Sequence, residues 1–168
     1  PETDAYFDEA KSYVGTNFSN HLGELTGYSM YPTSFSKTKD WLNQFFEQRF
    51  SDFGTYEDAI KSNNNFLFHS FLSPILNVGL ITPNEIILKT LTYSQKFSIP
   101  LNSVEGFIRQ IIGWREFIRG IYYLKGREQV TSNFFNHNLK LSDHWYNATT
   151  GIEPLDDSIN NSVNYGYT

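Results

Sequence analysis

The chain has 168 residues, of which 39% are hydrophobic and 17% aromatic, and its formal net charge is -5 at pH 7. This length and composition allow one packed core that buries roughly 70% of the unfolded surface, which excludes an intrinsically disordered chain. There is no cysteine, which excludes disulfides and thiolate metal sites. There is also no apolar run long enough to cross a bilayer, so we expect a cytoplasmic protein without a membrane span.

The first part of the chain predicts two helices. Apolar side chains recur at helical spacing over Ser36–Phe50, and Ser34 or Ser36 can cap the free amides at the start of this helix. Gly54 is predicted to end it, and a short helix is predicted over Thr55–Ser62. No strand-like alternation occurs along the chain, so the fold class is predicted to be all-α.

Two further helix starts follow. At Ser73-Pro74 the serine hydroxyl is predicted to cap the helix, the proline takes the first helical position, and Gly79 supplies the left-handed stop. Thr82 to Glu85 repeat this arrangement as a capping box. The two starts predict two short helices that lie at an angle to each other.

The longest helix is predicted from about Ser103 to Lys125, capped by Asn102 or Ser103 and stopped by Gly126. Its apolar residues occupy more than one face of the helix, so we expect a central helix that is buried on more than one side. The main apolar stripe of this helix comprises Phe107, Ile111, Trp114, Ile118 and Ile121.

A last helix is predicted from about Pro154 to Tyr165, with Gly166 beyond it. Asp156 and Asp157 lie near its start, where we interpret them as charges that complement the helix dipole rather than as a catalytic acid pair. The four histidines lack metal-ligand spacing, and no Gly-rich phosphate loop or nucleophile elbow occurs. We therefore predict no metal ligand and no catalytic residue in this chain.

Two segments suggest ligand chemistry. His69 to Ser73 place hydroxyls and free amides at a helix start, where the dipole favours phosphate, although these serines could also bond only to the backbone. Arg115 follows Trp114 directly, so a cation and a large ring could border one pocket. Alternatively, Arg115 pairs with a carboxylate and Trp114 fills the core.

Together these segments resemble the helical flavin-binding domain of the photolyase and cryptochrome family. His69-Ser70-Phe71-Leu72-Ser73-Pro74 is similar to the family segment that holds the flavin phosphates, and Gly113-Trp114-Arg115-Glu116-Phe117 is similar to the helix that floors the flavin pocket. The resemblance places Trp114 on the side of the DNA lesion. It implies an FAD site formed by Tyr56, His69, Ser70, Phe71, Leu72, Ser73, Gln110 and Arg115.

The resemblance covers the chain from about Ala5 to Thr168 and is closest to the branch that includes iron-sulfur bacterial cryptochromes and (6-4) photolyases. Classical members have a glutamate three positions before the tryptophan, where this chain has Ile111, which argues against the usual contact to a cyclobutane dimer. Pro154 stands where the iron-sulfur branch has a cluster cysteine. No iron-sulfur cluster is therefore expected in this chain.

The resemblance also implies the organisation of the protein. Residues 1–168 are expected to form a single, incomplete helical domain, the first part of an FAD-binding domain without its C-terminal part and without the antenna domain. The parent protein is expected to repair pyrimidine photoproducts in damaged DNA by light-driven electron transfer from FAD. We expect the chain by itself to be inactive and to self-associate through an exposed apolar face.

Three alternatives remain open. The parent could be a cryptochrome-like blue-light photoreceptor that uses the same cofactor. The chain could instead be a helical interaction module without a cofactor. The third alternative is a nucleic-acid-binding domain that uses Arg109, Arg119, Lys125 and Arg127. It rests on the segment from Val104 to Lys140, which has six basic and three acidic residues. This alternative predicts a steep salt dependence of binding.

Overall fold

A computed structural model describes residues 4–23, 25, 27 and 29–165. All regular structure within these residues is helical, which confirms the predicted all-α fold, and none of these helices is both long and apolar enough to span a membrane. The chain divides into two compact units, one made of Tyr31–Phe135 and one made of Pro1–Met30 with Asn136–Thr168. The helices are α1 (Ala5–Asn17), α2 (Phe35–Gln48), α3 (Phe50–Tyr56), α4 (Ser73–Asn77), α5 (Pro83–Phe97), α6 (Leu101–Thr131), α7 (His144–Asn147) and α8 (Glu153–Tyr165).

The unit Tyr31–Phe135 contains α2 to α6 and a core rich in phenylalanine. Helix α2 begins as predicted, because the Ser34 hydroxyl accepts a hydrogen bond from the Lys37 amide at 3.4 Å. The α2 side chains at helical spacing, including Leu42 and Phe45, are buried. The buried hydrophobic residues of the core are Leu42, Phe45, Phe46, Phe50, Phe53, Leu72, Ile75, Ile81, Ile86, Phe107 and Ile111.

Helix α3 corrects two predictions. Gly54 lies inside α3 and ends no helix, and α3 ends at Tyr56, so the helix predicted over Thr55–Ser62 is wrong. A Cβ atom on Gly54 would lie 2.4 Å from the Ser103 amide nitrogen. Glycine is therefore required at this position because two backbones meet there. In the sequence, a glycine required for such a contact looks the same as a glycine that ends a helix.

Helices α4 and α5 begin where predicted, but only α4 is short, since α5 has 15 residues. Gly79 has a φ of 79°, the left-handed conformation expected of a stop after α4, and the Thr82 hydroxyl caps α5 by accepting from the Glu85 amide at 3.2 Å. Ser73, however, does not cap α4, because it is already the first helical residue and Leu72 occupies the N-cap position. The predicted role of Ser73 as a cap is therefore wrong.

Helix α6 is longer than predicted and is not stopped by Gly126, which lies inside it. It begins after Pro100 without a side-chain cap, so neither Asn102 nor Ser103 caps it. Its buried residues end at Ile111, whereas Trp114 and Ile118 are exposed, so the prediction that α6 is buried on more than one side is wrong. Helix α6 is nevertheless central to this unit, since it packs against both α3 and α5.

The second unit contains α1, α7 and α8. Asp4 caps α1 by accepting a hydrogen bond from the Phe7 amide at 3.0 Å, and α7 packs against α8. The last helix forms as predicted, but it begins one residue earlier than predicted, at Glu153. Gly166, predicted to follow it, lies outside the described residues.

Asp156 holds the chain that leads into α8. Its carboxylate accepts hydrogen bonds from the Thr150 hydroxyl at 2.7 Å and the Thr150 amide at 2.9 Å, and from the Gly151 amide at 3.1 Å. The hydrogen bond from the Thr150 hydroxyl is the largest of the effects that hold the pKa of Asp156 below its ordinary value. Asp156 therefore acts on the turn before the helix, in addition to its charge in the first helical turn.

Candidate functional site

The candidate site is organised by the crossing of α3 and α6. The Gly54 amide of α3 donates a hydrogen bond to the Ser103 hydroxyl of α6 at 2.9 Å, and this hydroxyl donates to the Ser51 carbonyl oxygen at 2.9 Å. Ser103 is completely buried. Because the absence of a Cβ on Gly54 brings the two backbones into contact, α3 is held at a fixed position on α6.

One helical turn further along both helices, Glu57 rests on Gly106. A Cβ atom on Gly106 would lie 3.0 Å from Glu57 Oε2. The same oxygen accepts a hydrogen bond from Gln110 Nε2 at 3.4 Å, and Arg109 Nη2 lies 3.7 Å from Glu57 Oε1. The Glu57 side chain is only 16% exposed. This carboxylate therefore links the end of α3 to the middle of α6.

No sequence motif marks Glu57 as a residue of the site. A signal for its position was present in Gly106, because glycine inside a helix costs about 1 kcal/mol relative to alanine and is favoured where another group approaches closely. The residue that makes this approach lies 49 positions earlier in the chain. Only the tertiary structure identifies it as Glu57.

The segment Phe66–Ser73, called the serine loop below, lies against α2 and α3. The Tyr56 ring of α3 stacks on the Phe68 ring with centroids 4.8 Å apart, and the Phe53 ring meets His69 edge-on at 6.2 Å. Trp41 of α2 donates from Nε1 to the Ser70 carbonyl oxygen at 2.9 Å. The structure thus brings together Tyr56, His69 and Ser70, three of the residues predicted to form the site.

The backbone of the serine loop is built from tight turns. Leu67 and Phe71 have φ values of 37° and 54°, in the left-handed region that non-glycine residues seldom adopt. The Phe71 ring contacts Phe66 at 4.7 Å, and Leu72 is buried in the core. Such conformations persist only where the surrounding structure holds them, and here aromatic contacts and a buried leucine do so.

The hydroxyls of Ser70 and Ser73 form no hydrogen bond within the described residues. Ser73 is exposed and Ser70 is partly exposed. Both side chains are consequently available as donors and acceptors for a ligand.

Arg115 and Trp114 lie further along α6. Arg115 donates from Nη1 to the Ile111 carbonyl oxygen of the same helix at 2.7 Å. Trp114 is 66% exposed and meets the Phe117 ring edge-on at 6.4 Å. Among the described contacts, no hydrogen bond, ion pair or ring contact joins either residue to the serine loop, so their membership of one site with Ser70 and Ser73 stays a prediction.

Most basic side chains of α6 are paired with acids on the same helix. Arg109 contacts Glu105 at 3.2 Å, Arg119 contacts Glu116 at 3.4 Å, and Lys125 contacts Glu128 at 2.8 Å. The hydrogen bond that Lys125 donates to the Glu128 carboxylate raises the pKa of Lys125. Within the described part of the chain, Arg115 and Arg127 are the basic residues of α6 without an acidic partner, which reduces the positive surface expected from the sequence.

A further cation, Arg49, lies at the junction of α2 and α3. Its guanidinium lies over the Phe45 ring, 6.0 Å from the centroid. Burial lowers the pKa of Arg49 from its ordinary value. The contact with the ring face provides part of the stabilisation that water would otherwise give to this charge.

Comparison with known proteins defines the class to which the chain belongs. No protein-family model matches it. The chain is related to photolyases, because it is 33% identical over 150 residues to a (6-4) photolyase of Agrobacterium fabrum. This match covers 89% of the chain and 29% of the photolyase, so the chain spans less than a third of the length of that protein.

A second comparison shows the family. The chain is 42% identical over 113 residues to an uncharacterized protein of Acanthamoeba polyphaga mimivirus. This match covers 66% of the chain and 85% of the viral protein. The chain therefore belongs to the same family as this mimivirus protein, and the resemblance to photolyases that the sequence motifs indicated is confirmed at the level of a relationship.

Proposed function

We propose that this chain forms the first part of the helical FAD-binding domain of a photolyase-related protein. The observation that carries the proposal is the serine loop, whose sequence resembles the phosphate-holding segment of photolyases and whose backbone is held on α3 by Tyr56 and on α2 by Trp41. The similarity to a (6-4) photolyase over 89% of the chain supports it. The chain has two compact units. We propose that both belong to one incomplete FAD-binding domain.

The side chains of the serine loop fit the phosphate end of FAD chemically. The hydroxyls of Ser70 and Ser73 are uncommitted within the described residues and can donate hydrogen bonds to phosphate oxygens. Arg115 supplies a planar guanidinium that suits a phosphate or a ring face. This set of donors matches an anionic ligand that carries an aromatic ring.

We assign the following roles to the residues of this site. Ser70, Leu72 and Ser73 hold the pyrophosphate, with His69 and Phe71 completing the loop around it. Tyr56, Gln110 and Arg115 flank the flavin. When bound, FAD supplies light-driven electron transfer, and the protein contributes position and electrostatics.

The proposed substrate of the parent protein is a pyrimidine photoproduct in DNA. Trp114 is exposed on α6 and offers an apolar ring on which an extruded base can stack. A cryptochrome-like photoreceptor would use the same flavin site without the repair step. Lesion loss under light separates these two outcomes.

A helical interaction module is the second candidate, and one observation favours it. The second half of α6 carries an exposed apolar stripe along the same face that is buried at Phe107 and Ile111. The residues of this stripe are Trp114, Ile118 and Tyr122. Apolar patches of this kind mark surfaces that bind other proteins, so self-association through the stripe belongs to this candidate.

The proposed site is tested by titrating the chain with FAD and following flavin fluorescence and absorption. We expect saturable binding that the double variant S70A/S73A weakens by about tenfold, since two hydrogen bonds to phosphate are lost. The matched control is Ser62→Ala, which removes an exposed hydroxyl outside the serine loop. Equal affinity of the double variant and the control would contradict the assigned role of the serine loop.

A further inference from the structure

Glu57 lies between two residues that the proposed site assigns to the flavin, Tyr56 and Gln110. It directly follows Tyr56, whose ring stacks on Phe68 of the serine loop. Its carboxylate lies on Gly106 and contacts Gln110 of α6. Glu57 therefore links the end of α3, next to Tyr56, to Gln110 of α6.

The contact with Glu57 also orients the Gln110 amide. An ionised carboxylate can only accept hydrogen bonds, so the amide nitrogen of Gln110 must face it, as the 3.4 Å contact from Nε2 to Oε2 requires. The amide oxygen is then the atom that remains available to a ligand. Gln110 is exposed, so this oxygen is accessible.

Gly106 makes this arrangement possible. An added Cβ would lie 3.0 and 3.2 Å from the two carboxylate oxygens of Glu57, closer than most Cβ contacts allow. The ion pair with Arg109 does not hold the carboxylate alone, because the arginine side chain is 64% exposed and its nitrogen lies 3.7 Å away. The close fit on Gly106 and the bond to Gln110 together fix the carboxylate.

We propose that Glu57 is a positioning residue of the cofactor site, and that it makes Gln110 an acceptor for an N–H group of the bound ligand. This inference rests on the proposed function. The chemical class it predicts is a heteroaromatic ring with an N–H donor at its edge, as in the imide of a flavin or the amino group of an adenine. A ligand edge that only accepts hydrogen bonds would leave the Gln110 oxygen unpaired.

The experiment compares FAD binding by the wild-type chain and the variants Glu57→Gln, Gly106→Ala and Gln110→Leu. Glu57→Gln keeps the volume over Gly106 but can donate to the Gln110 oxygen, so the amide loses its fixed orientation. We expect this variant to unfold at the wild-type temperature, to bind FAD about tenfold more weakly and to shift the absorption bands of bound flavin. Arg109→Ala is the control, since it removes the exposed ion pairs to Glu57 and Glu105 but leaves Glu57 in contact with Gly106 and Gln110.

The outcomes separate the inference from the proposed function. If the wild-type chain binds FAD and the Glu57 and Gln110 variants bind it equally well with unchanged flavin bands, the inference is overturned and the proposed function stands. If the wild-type chain binds no FAD, both fail. Weaker binding that tracks a loss of thermal stability in Glu57→Gln would also overturn the positioning role, because it would show a structural effect alone.

Discussion

The Gly54 amide and the Ser103 hydroxyl are joined by a hydrogen bond of 2.9 Å at the point where α3 crosses α6. The same hydroxyl donates to the Ser51 carbonyl oxygen, so one buried side chain bonds two backbone groups of α3. Tyr56 and Glu57 lie two and three residues after Gly54. This contact therefore sets where the end of α3, and with it one side of the candidate site, lies on α6.

Gly54→Ala is predicted to destabilise the protein strongly. The added Cβ would lie 2.4 Å from the Ser103 amide nitrogen and 2.5 Å from the Asn102 carbonyl carbon, both backbone atoms that cannot rotate away. We expect a loss of about 3 kcal/mol in the free energy of unfolding, measured by urea denaturation.

The matched control for this variant is Gly120→Ala. Gly120 lies inside α6, and a Cβ there meets nothing within 4 Å. Because alanine favours the helix over glycine, we expect the control to raise the free energy of unfolding by up to about 1 kcal/mol. Similar losses in both variants would contradict the close α3–α6 contact.

Ser103→Ala tests the hydrogen bonds at the same crossing. It leaves the Ser51 carbonyl oxygen and the Gly54 amide without their buried partner, and we expect a loss of about 2 kcal/mol. Ser98→Ala, at the exposed end of α5, removes a hydroxyl without such contacts and should change stability little. An equal effect of the two serine variants would show that the crossing does not depend on the Ser103 hydroxyl.

Alanine substitutions of two aromatic residues of α6 are predicted to change the free energy of unfolding by very different amounts. Phe107 is buried against Phe45, Phe50 and Phe53, with centroids 4.8, 5.5 and 5.6 Å away. Phe107→Ala should cost about 4 kcal/mol through the cavity it creates. Trp114→Ala, at an exposed position, should change the free energy of unfolding by no more than about 0.5 kcal/mol.

This comparison tests how far the buried face of α6 extends. A loss for Trp114→Ala as large as that for Phe107→Ala would mean that the apolar stripe is covered in solution. Sedimentation analysis of the Trp114 variant would then show whether a second copy of the chain covers it. A monomer that is stable with and without Trp114 agrees with an exposed stripe.

Asp156 is predicted to make part of the stability depend on acid pH. The pKa of its carboxyl is lowered in the folded state, chiefly by the hydrogen bond from the Thr150 hydroxyl. Its stabilising contribution is therefore complete above the unfolded-state pKa of about 3.9 and is lost as the pH falls through the lower, folded-state pKa.

Nuclear magnetic resonance titration of the Asp156 carboxyl carbon measures this directly. We expect a midpoint below about 3.9, the ordinary value for an aspartate in a peptide. Thr150→Val should raise the midpoint, because it removes the largest cause of the shift. A midpoint that Thr150→Val leaves unchanged would contradict the assigned hydrogen bond.

The sequence predicted the helices more reliably than the contacts between them. Helix α2 was predictable because its apolar residues repeat on one face, and α5 because Thr82 and Pro83 mark its start. Gly54 looks like a helix stop in the sequence, because a glycine that permits packing and a glycine that ends a helix look alike locally. Gly126 also looks like a stop, but α6 continues through it. Ser103 looks like a helix cap in the sequence, because its actual partners, Ser51 and Gly54, lie about 50 residues away in the chain.

The candidate site was predictable only in part. The serine loop has a recognisable sequence, and the structure packs His69 on Phe53 of α3, Phe68 on Tyr56 of α3 and the Ser70 carbonyl on Trp41 of α2. Glu57 carries no motif, because its role depends on Gly106 and Gln110 of another helix. The exposure of Trp114 was also not predictable, since the apolar pattern of α6 continues unchanged past the end of its buried part.

The most direct test of the proposed function is the absorption spectrum of the longer protein in which we propose that this chain occurs, recorded after purification and again after adding FAD and illuminating. We expect flavin bands that bleach on photoreduction, and loss of pyrimidine photoproducts from damaged DNA under light only. A colourless protein that takes up no added FAD would contradict the proposed function.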